Sequence, residues 1–188
     1  MTIRLSSPAA VAAALAAMLA APLAHAADYV QAPGSSLVFA GTYQGESFTG
    51  RFPGFATTFR FDPKQLATSK LVVNIPLASA ATSNADYDGE LRGASFFDAT
   101  KFPRATYTSK KFRALGGNRY AADGTLSLHG VDKPVTLEFT WTPGAKPVLA
   151  GKATVKRLEF GVGGGDWADT TLIPNAIAIS TKVVFAPL

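Results

Sequence analysis

The chain has 188 residues, with 18 lysines and arginines against 13 aspartates and glutamates, a formal charge of +5, and no cysteine. That length suits one domain. The missing cysteines exclude disulfides, thiolate metal centres, covalent c-type haem and a lipidated N-terminal cysteine, so the fold must rest on its apolar interior. The basic residues are scattered, which excludes the one-sided cationic stripe of a nucleic-acid binder and leaves open a transient contact with anionic membrane surfaces.

Residues 1–26 read as a secretory signal peptide: Arg4 near the start, an apolar run over 9–21, then the small-x-small site Ala24-His25-Ala26. The run falls short of the about 20 apolar residues that a spanning helix needs. Cleavage is expected after Ala26, leaving an exported domain over 27–188.

Residues 27–35 form a lead-in with Pro33 and Gly34. Leu37, Phe39 and Tyr43 then alternate with Val38, Ala40 and Thr42, the period-two pattern of a strand. Phe48 and Phe52 continue on even positions, whereas Phe55, Phe59 and Phe61 are odd. This parity flip falls at Pro53-Gly54 and predicts a bulge or strand break. Asp62-Pro63-Lys64-Gln65 reads as the start of a turn or so of helix, with Asp62 as N-cap. Leu71, Val73, Ile75 and Leu77 give a clear strand face.

The stretch 82–97, TSNADYDGELRGASFF, is the one plausible α-helix, capped by Ser83 or Asn84 and weakened by Gly89 and Gly93. A weaker strand over 106–112 leads into a two-faced hairpin. In its first arm Tyr120, Leu126 and Leu128 share one side; in its second, Val135, Leu137, Phe139 and Trp141 do so. Gly130, Asp132 and Pro134 supply turn chemistry between the arms. Ala153 and Val155 mark a further strand, 161–169 is glycine-rich irregular chain, and Ile177, Ile179, Val183 and Phe185 make the last strand. About eight strands and a short helix are expected. Eight is the number at which a closed barrel holds its own side chains or one small ligand.

Lys156-Arg157-Leu158-Glu159-Phe160-Gly161-Val162-Gly163-Gly164-Gly165-Asp166-Trp167-Ala168-Asp169 resembles the signature of the YceI-like family. Leu128-His129-Gly130-Val131-Asp132-Lys133-Pro134-Val135 resembles its hairpin, Asp86-Tyr87-Asp88-Gly89-Glu90-Leu91-Arg92-Gly93 with Phe96-Phe97-Asp98 its helix segment, and Phe59-Arg60-Phe61-Asp62-Pro63 its early turn. The blocks fall in family order across nearly the whole chain after residue 26; Glu159 departs where Asp is commoner. The resemblance implies an all-β, extended, antiparallel eight-stranded lipocalin-like barrel with a short helix. It further implies a periplasmic location and a hydrophobic tunnel that takes a long isoprenoid lipid, polyprenyl or quinone; with no acid–base pair or nucleophile standing out in the sequence, a non-enzymatic carrier without a resident cofactor is expected.

On that reading the candidate ligand-binding residues are Phe39, Phe48, Phe52, Phe59, Val73, Ile75, Leu126, Leu128, Leu137, Phe139, Trp141, Arg157, Phe160 and Trp167. Alternation alone leaves a lined tunnel and a filled core equally open. Arg157 shares parity with inward Val155; it reads either as a guanidinium at the tunnel mouth gripping a pyrophosphate or quinone oxygen, or, the preferred reading, as a bulged residue paired with a surface carboxylate. Asp86, Asp88, Arg92, Asp166 and Asp169 are expected to serve salt bridges and capping, their spacing matching no calcium loop. His129 has no cysteine partners for zinc and no G-x-S-x-G elbow, and reads as a hydrogen-bonded turn residue. The glycine run lacks the third glycine of a dinucleotide fingerprint, which would fall at Asp166. No metal site is expected. An enzyme acting on an isoprenoid lipid, a filled-core structural or stress-response module, an outer-membrane barrel and a homodimer remain alternatives.

Overall fold

The computed structural model describes residues 27–188; the signal-peptide reading of 1–26 lies outside the described residues. Ten strands run in order: β1 (Ala27–Gln31), β2 (Ser36–Tyr43), β3 (Glu46–Arg51), β4 (Ala56–Phe61), β5 (Lys70–Pro76), β6 (Arg104–Gly116), β7 (Arg119–Leu128), β8 (Val131–Thr142), β9 (Val148–Lys156) and β10 (Ala176–Pro187). They occupy eight places in one closed antiparallel wall. β10 pairs β2 over Ala178–Lys182 and β1 over Phe185–Pro187, so β1 and β2 are two halves of one broken strand. β3 and β4 are likewise two halves, paired to β2 and β1 respectively. From β4 the ring runs through β5, β6, β7, β8 and β9 to β10.

The break between β3 and β4 explains the parity flip. Phe48 and Phe52 face inward on even positions before the Pro53-Gly54 turn, and Phe59 and Phe61 on odd positions after it. The residues 27–35, expected as a mere lead-in, include β1, whose pairing to β10 closes the barrel.

The β7–β8 hairpin carries the longest uninterrupted register, from Arg119 opposite Thr140 to Leu128 opposite Val131. Its turn is His129-Gly130 alone, with φ of +53° and +76°, the left-handed pair that a two-residue hairpin turn demands. Asp132 and Pro134, expected in the turn, instead lie inside β8. The outward faces of this hairpin and of β9 carry Arg119, Asp123, Thr125, Thr136, Glu138, Lys152 and Lys156, and the inward faces are apolar. That is the reverse of a membrane barrel, whose apolar belt faces out and whose interior is polar.

α1 (Ala85–Arg92) is shorter than expected. The Asn84 side chain accepts from the backbone N–H of Asp86 at 2.9 Å and of Tyr87 at 3.3 Å, a standard N-cap. Asp62 caps a turn rather than a helix, accepting from Lys64 N–H at 2.8 Å, and a single 3-10 turn follows over Leu66–Thr68. No ladder joins β3 to β5; one bridge, Arg51 to Ala81, spans that side. Leu77, from the 3-10 turn after β5, and Leu91, Phe96 and Phe97 of the helix segment line the barrel interior there.

Candidate functional site

The barrel interior is divided along its axis. One end is solid with aromatic rings. Phe59 stacks on Phe61 at 4.8 Å between centroids and meets Trp141 at 5.6 Å, Phe139 at 5.9 Å and Phe185 at 5.6 Å. Tyr120 packs against Phe61 and Phe139, and Tyr29 against Trp141. Edge-on and tilted pairs dominate, the arrangement that ring quadrupoles favour.

Beyond this plug the interior is hollow. A cavity of about 190 Å³ runs toward the helix end, walled by side chains from β2–β10 and the helix segment. Phe48, Val73, Ile75, Val135, Ala153, Val155, Ile177 and Ile179 all line it, and all are only half-buried although they lie on the inward side of their strands. Packed core residues at such positions would be fully buried; partial exposure from inside marks an open lumen.

The wall's few polar groups are largely occupied. Tyr107 lies flat across Gly124, where an added Cβ would stand 2.6 Å from the ring. Its hydroxyl donates to the carbonyl of Ala122 at 2.7 Å and sits 3.1 Å from that of Val135; burial raises its pKa well above the usual phenol value. Thr181 donates to Ser36 O at 2.9 Å.

Arg157 reaches the cavity wall and is 3% exposed. It starts a 3-10 turn, Arg157–Phe160, directly after β9. Its guanidinium donates to five backbone carbonyls: Pro174 through Nε at 3.2 Å, Val162 and Gly163 through Nη1, and Trp167 and Ile173 through Nη2, both at 2.8 Å. The preferred sequence reading, a bulged residue with a surface carboxylate partner, is corrected. The partner is no surface carboxylate, and the fork grips the glycine-rich loop itself. Burial pulls its pKa down, but a guanidinium titrates so high that it stays charged.

Of the fourteen candidate ligand-binding residues, nine line the cavity: Phe39, Phe48, Phe52, Val73, Ile75, Leu126, Leu128, Leu137 and Arg157. Phe59, Phe139 and Trp141 do not; they share the inward parity but belong to the aromatic plug. Phe160 is buried behind the wall, and its carbonyl accepts from His129 Nδ1 at 3.1 Å, which places the imidazole proton on that nitrogen. Trp167 stands at the rim, 5.4 Å from the Phe96 ring and 6.1 Å from Tyr43. Sequence reading missed Leu149, Thr57 and the helix-segment residues Leu91, Phe96 and Phe97 as lining. The acidic residues of α1 and the loop serve local turns: Asp88 accepts from Thr82 N–H and Oγ1, and Asp169 from Thr171 N–H and Oγ1.

The family model for the YceI-like domain matches residues 29–185. A UPF0312 protein of Vibrio campbellii is 39% identical over 129 residues, covering 66% of this chain and 68% of the relative. One from Vibrio cholerae is 34% identical over 161 residues, covering 79% and 85%. Among solved structures, BcnA of Burkholderia cenocepacia superposes with a TM-score of 0.77 at 29% identity, over 80% of this chain and 95% of BcnA. A polyisoprenoid binding domain from Saccharophagus degradans shares the fold, with a TM-score of 0.67 at 17% identity over 87% of this chain and 100% of that domain. With its lipocalin-like closed barrel and a family match over nearly every described residue, this chain belongs to the YceI-like domain family.

Proposed function

We propose that the protein is an exported, non-enzymatic carrier or store for an isoprenoid lipid, whose apolar chain lies in the lumen beyond the aromatic plug. The observation that carries this reading is the ring of half-buried, inward-facing aliphatic side chains around the cavity. Each CH₂ of a chain buried there contributes roughly 0.8 kcal/mol before the costs of binding. The groups best suited to chemistry are already engaged: Arg157 by five carbonyls, Tyr107 by backbone carbonyls and His129 by Phe160. This supports binding over catalysis. The Saccharophagus degradans domain of the same fold is a polyisoprenoid binding domain, which supports the lipid class.

The cavity of about 190 Å³ is smaller than the roughly 300–1,000 Å³ of pockets for drug-sized ligands. A long chain therefore fills the lumen only if the helix segment and the half-buried wall residues move apart, or if it projects from the mouth. The layout of residues 1–26 supports export to the periplasm, which cell fractionation tests. Titration with geranylgeraniol, read by Trp167 fluorescence in a Trp141→Phe background, tests the binding. Saturable quenching supports the reading. No response to geranylgeraniol, farnesol or a menaquinone refutes it.

A further inference from the structure

Two buried polar atoms on the paired strands β1 and β4 have no hydrogen-bond partner among the described residues, one in the cavity wall and the other beside it. Thr57 is 3% exposed, lies in the cavity wall, and its Oγ1 has no hydrogen-bond partner. Gln31 Oε1 is likewise buried and unpaired. The β1–β4 register pairs Tyr29 with Phe59 and Val30 with Thr58, so Gln31 stands opposite Thr57 one step further on. Alternation puts both on the inward side, with Tyr29 and Phe59. The Gln31 amide cannot turn over to relieve its oxygen, because Nε2 donates to Phe55 O at 3.0 Å and the carbonyl there needs a donor.

Buried polar groups are nearly always hydrogen-bonded, and each exception calls for a cause. Here one atom is a pure acceptor and the other a hydroxyl able to donate. A ligand hydroxyl satisfies both at once, donating to Gln31 Oε1 and accepting from Thr57 Oγ1. A quinone carbonyl satisfies only Thr57. A phosphate brings charge beside an acceptor, and the cation in the cavity wall, Arg157, already donates to five carbonyls.

We propose that Gln31 and Thr57 form the head-group subsite of the lumen and select an isoprenoid alcohol, bound head-inward beside the aromatic plug. This rests on the reading that the lumen takes an isoprenoid chain. The test compares geranylgeraniol with its methyl ether and its monophosphate on wild-type protein and on Thr57→Val, a substitution that keeps the shape and removes the hydroxyl. Wild-type protein is expected to bind the alcohol about tenfold tighter than the ether, the worth of a buried hydrogen-bonded pair. Thr57→Val is expected to bind the alcohol and the ether each about tenfold more weakly, since both oxygens accept from Thr57, and to keep the alcohol preference that Gln31 Oε1 sets. The empty variant should also unfold at equal or higher urea concentration, since an unpaired buried hydroxyl has been removed. No wild-type preference for the alcohol over the ether, unchanged affinity for both in Thr57→Val, or a wild-type preference for the phosphate overturns the proposal. So does a Thr57→Val protein that is less stable with unchanged affinity for the lipids, because the pair would then hold a structural water. Failure of wild-type protein to bind any of the three lipids instead refutes the carrier reading itself.

Discussion

Replacing Arg157 by lysine should unpin the glycine-rich loop without removing the charge. The guanidinium supplies five N–H groups to five carbonyls between Val162 and Pro174. An ammonium offers three donors from a single point, so at least two of those carbonyls lose their donor. At roughly 1–1.5 kcal/mol for each, the change destabilises the fold by about 2–3 kcal/mol. Arg157→Met strips all five, and loop hydration caps the loss near about 4–5 kcal/mol. Urea unfolding followed by circular dichroism reads both, and an unchanged slope shows that the same surface unfolds. Limited proteolysis should cut the lysine variant first in the loop. If Arg157→Lys unfolds within about 0.5 kcal/mol of wild type, the size of an ordinary surface change, the guanidinium does not hold the loop and the reasoning fails.

Further expectations follow from the divided interior. Phe59→Ala should cost about 3–5 kcal/mol, since Phe59 is 1% exposed in the middle of the plug; the folded fraction should still retain lipid, and selective loss of lipid without loss of stability would place Phe59 in the lumen after all. Ile179→Phe projects a ring into the cavity and should abolish lipid uptake while changing stability by no more than about 2 kcal/mol; undiminished uptake by titration would put the chain elsewhere. Asp123 is held down at about 2, from an ordinary 3.8, first by its hydrogen bond from Arg113 and then by that from Thr136. A depressed carboxylate contributes stability that is complete above 3.8 and is lost as the pH falls through about 2. Asp123→Asn should therefore narrow its stability gap to wild type as the pH falls across that window, and a gap independent of pH between 2 and 5 would contradict the pairing.

Much of the wall was legible because strand alternation is local. Leu126, Leu128 and Leu137 point inward by simple parity, and the flip between Phe52 and Phe55 marked the break that lets the wall bend. The depth of each residue along the barrel axis was not legible. Phe59 and Phe39 carry the same parity signal, yet one sits in the plug and the other lines the cavity; that depends on how all eight wall positions are staggered. Arg157 was conspicuous as a cation on an apolar parity, but its partners are main-chain carbonyls of a loop, which leave no mark in side-chain chemistry. Gln31 and Thr57 are distant in sequence and become neighbours only through the β1–β4 register. Pro134 gave a usable signal that was read as a turn. Proline is tolerated in strands at an edge, and the β8–β9 ladder does end at Glu138–Lys152, short of Pro134.

The most direct test of a lipid-filled lumen is native mass spectrometry of the protein purified from its own cell envelope without detergent, followed by organic extraction and identification of what is released. The account predicts one isoprenoid lipid per chain, lost in Ile179→Phe. A protein that arrives empty, and stays empty after incubation with prenols and quinones of several lengths, would contradict it and leave a barrel whose hollow serves no ligand.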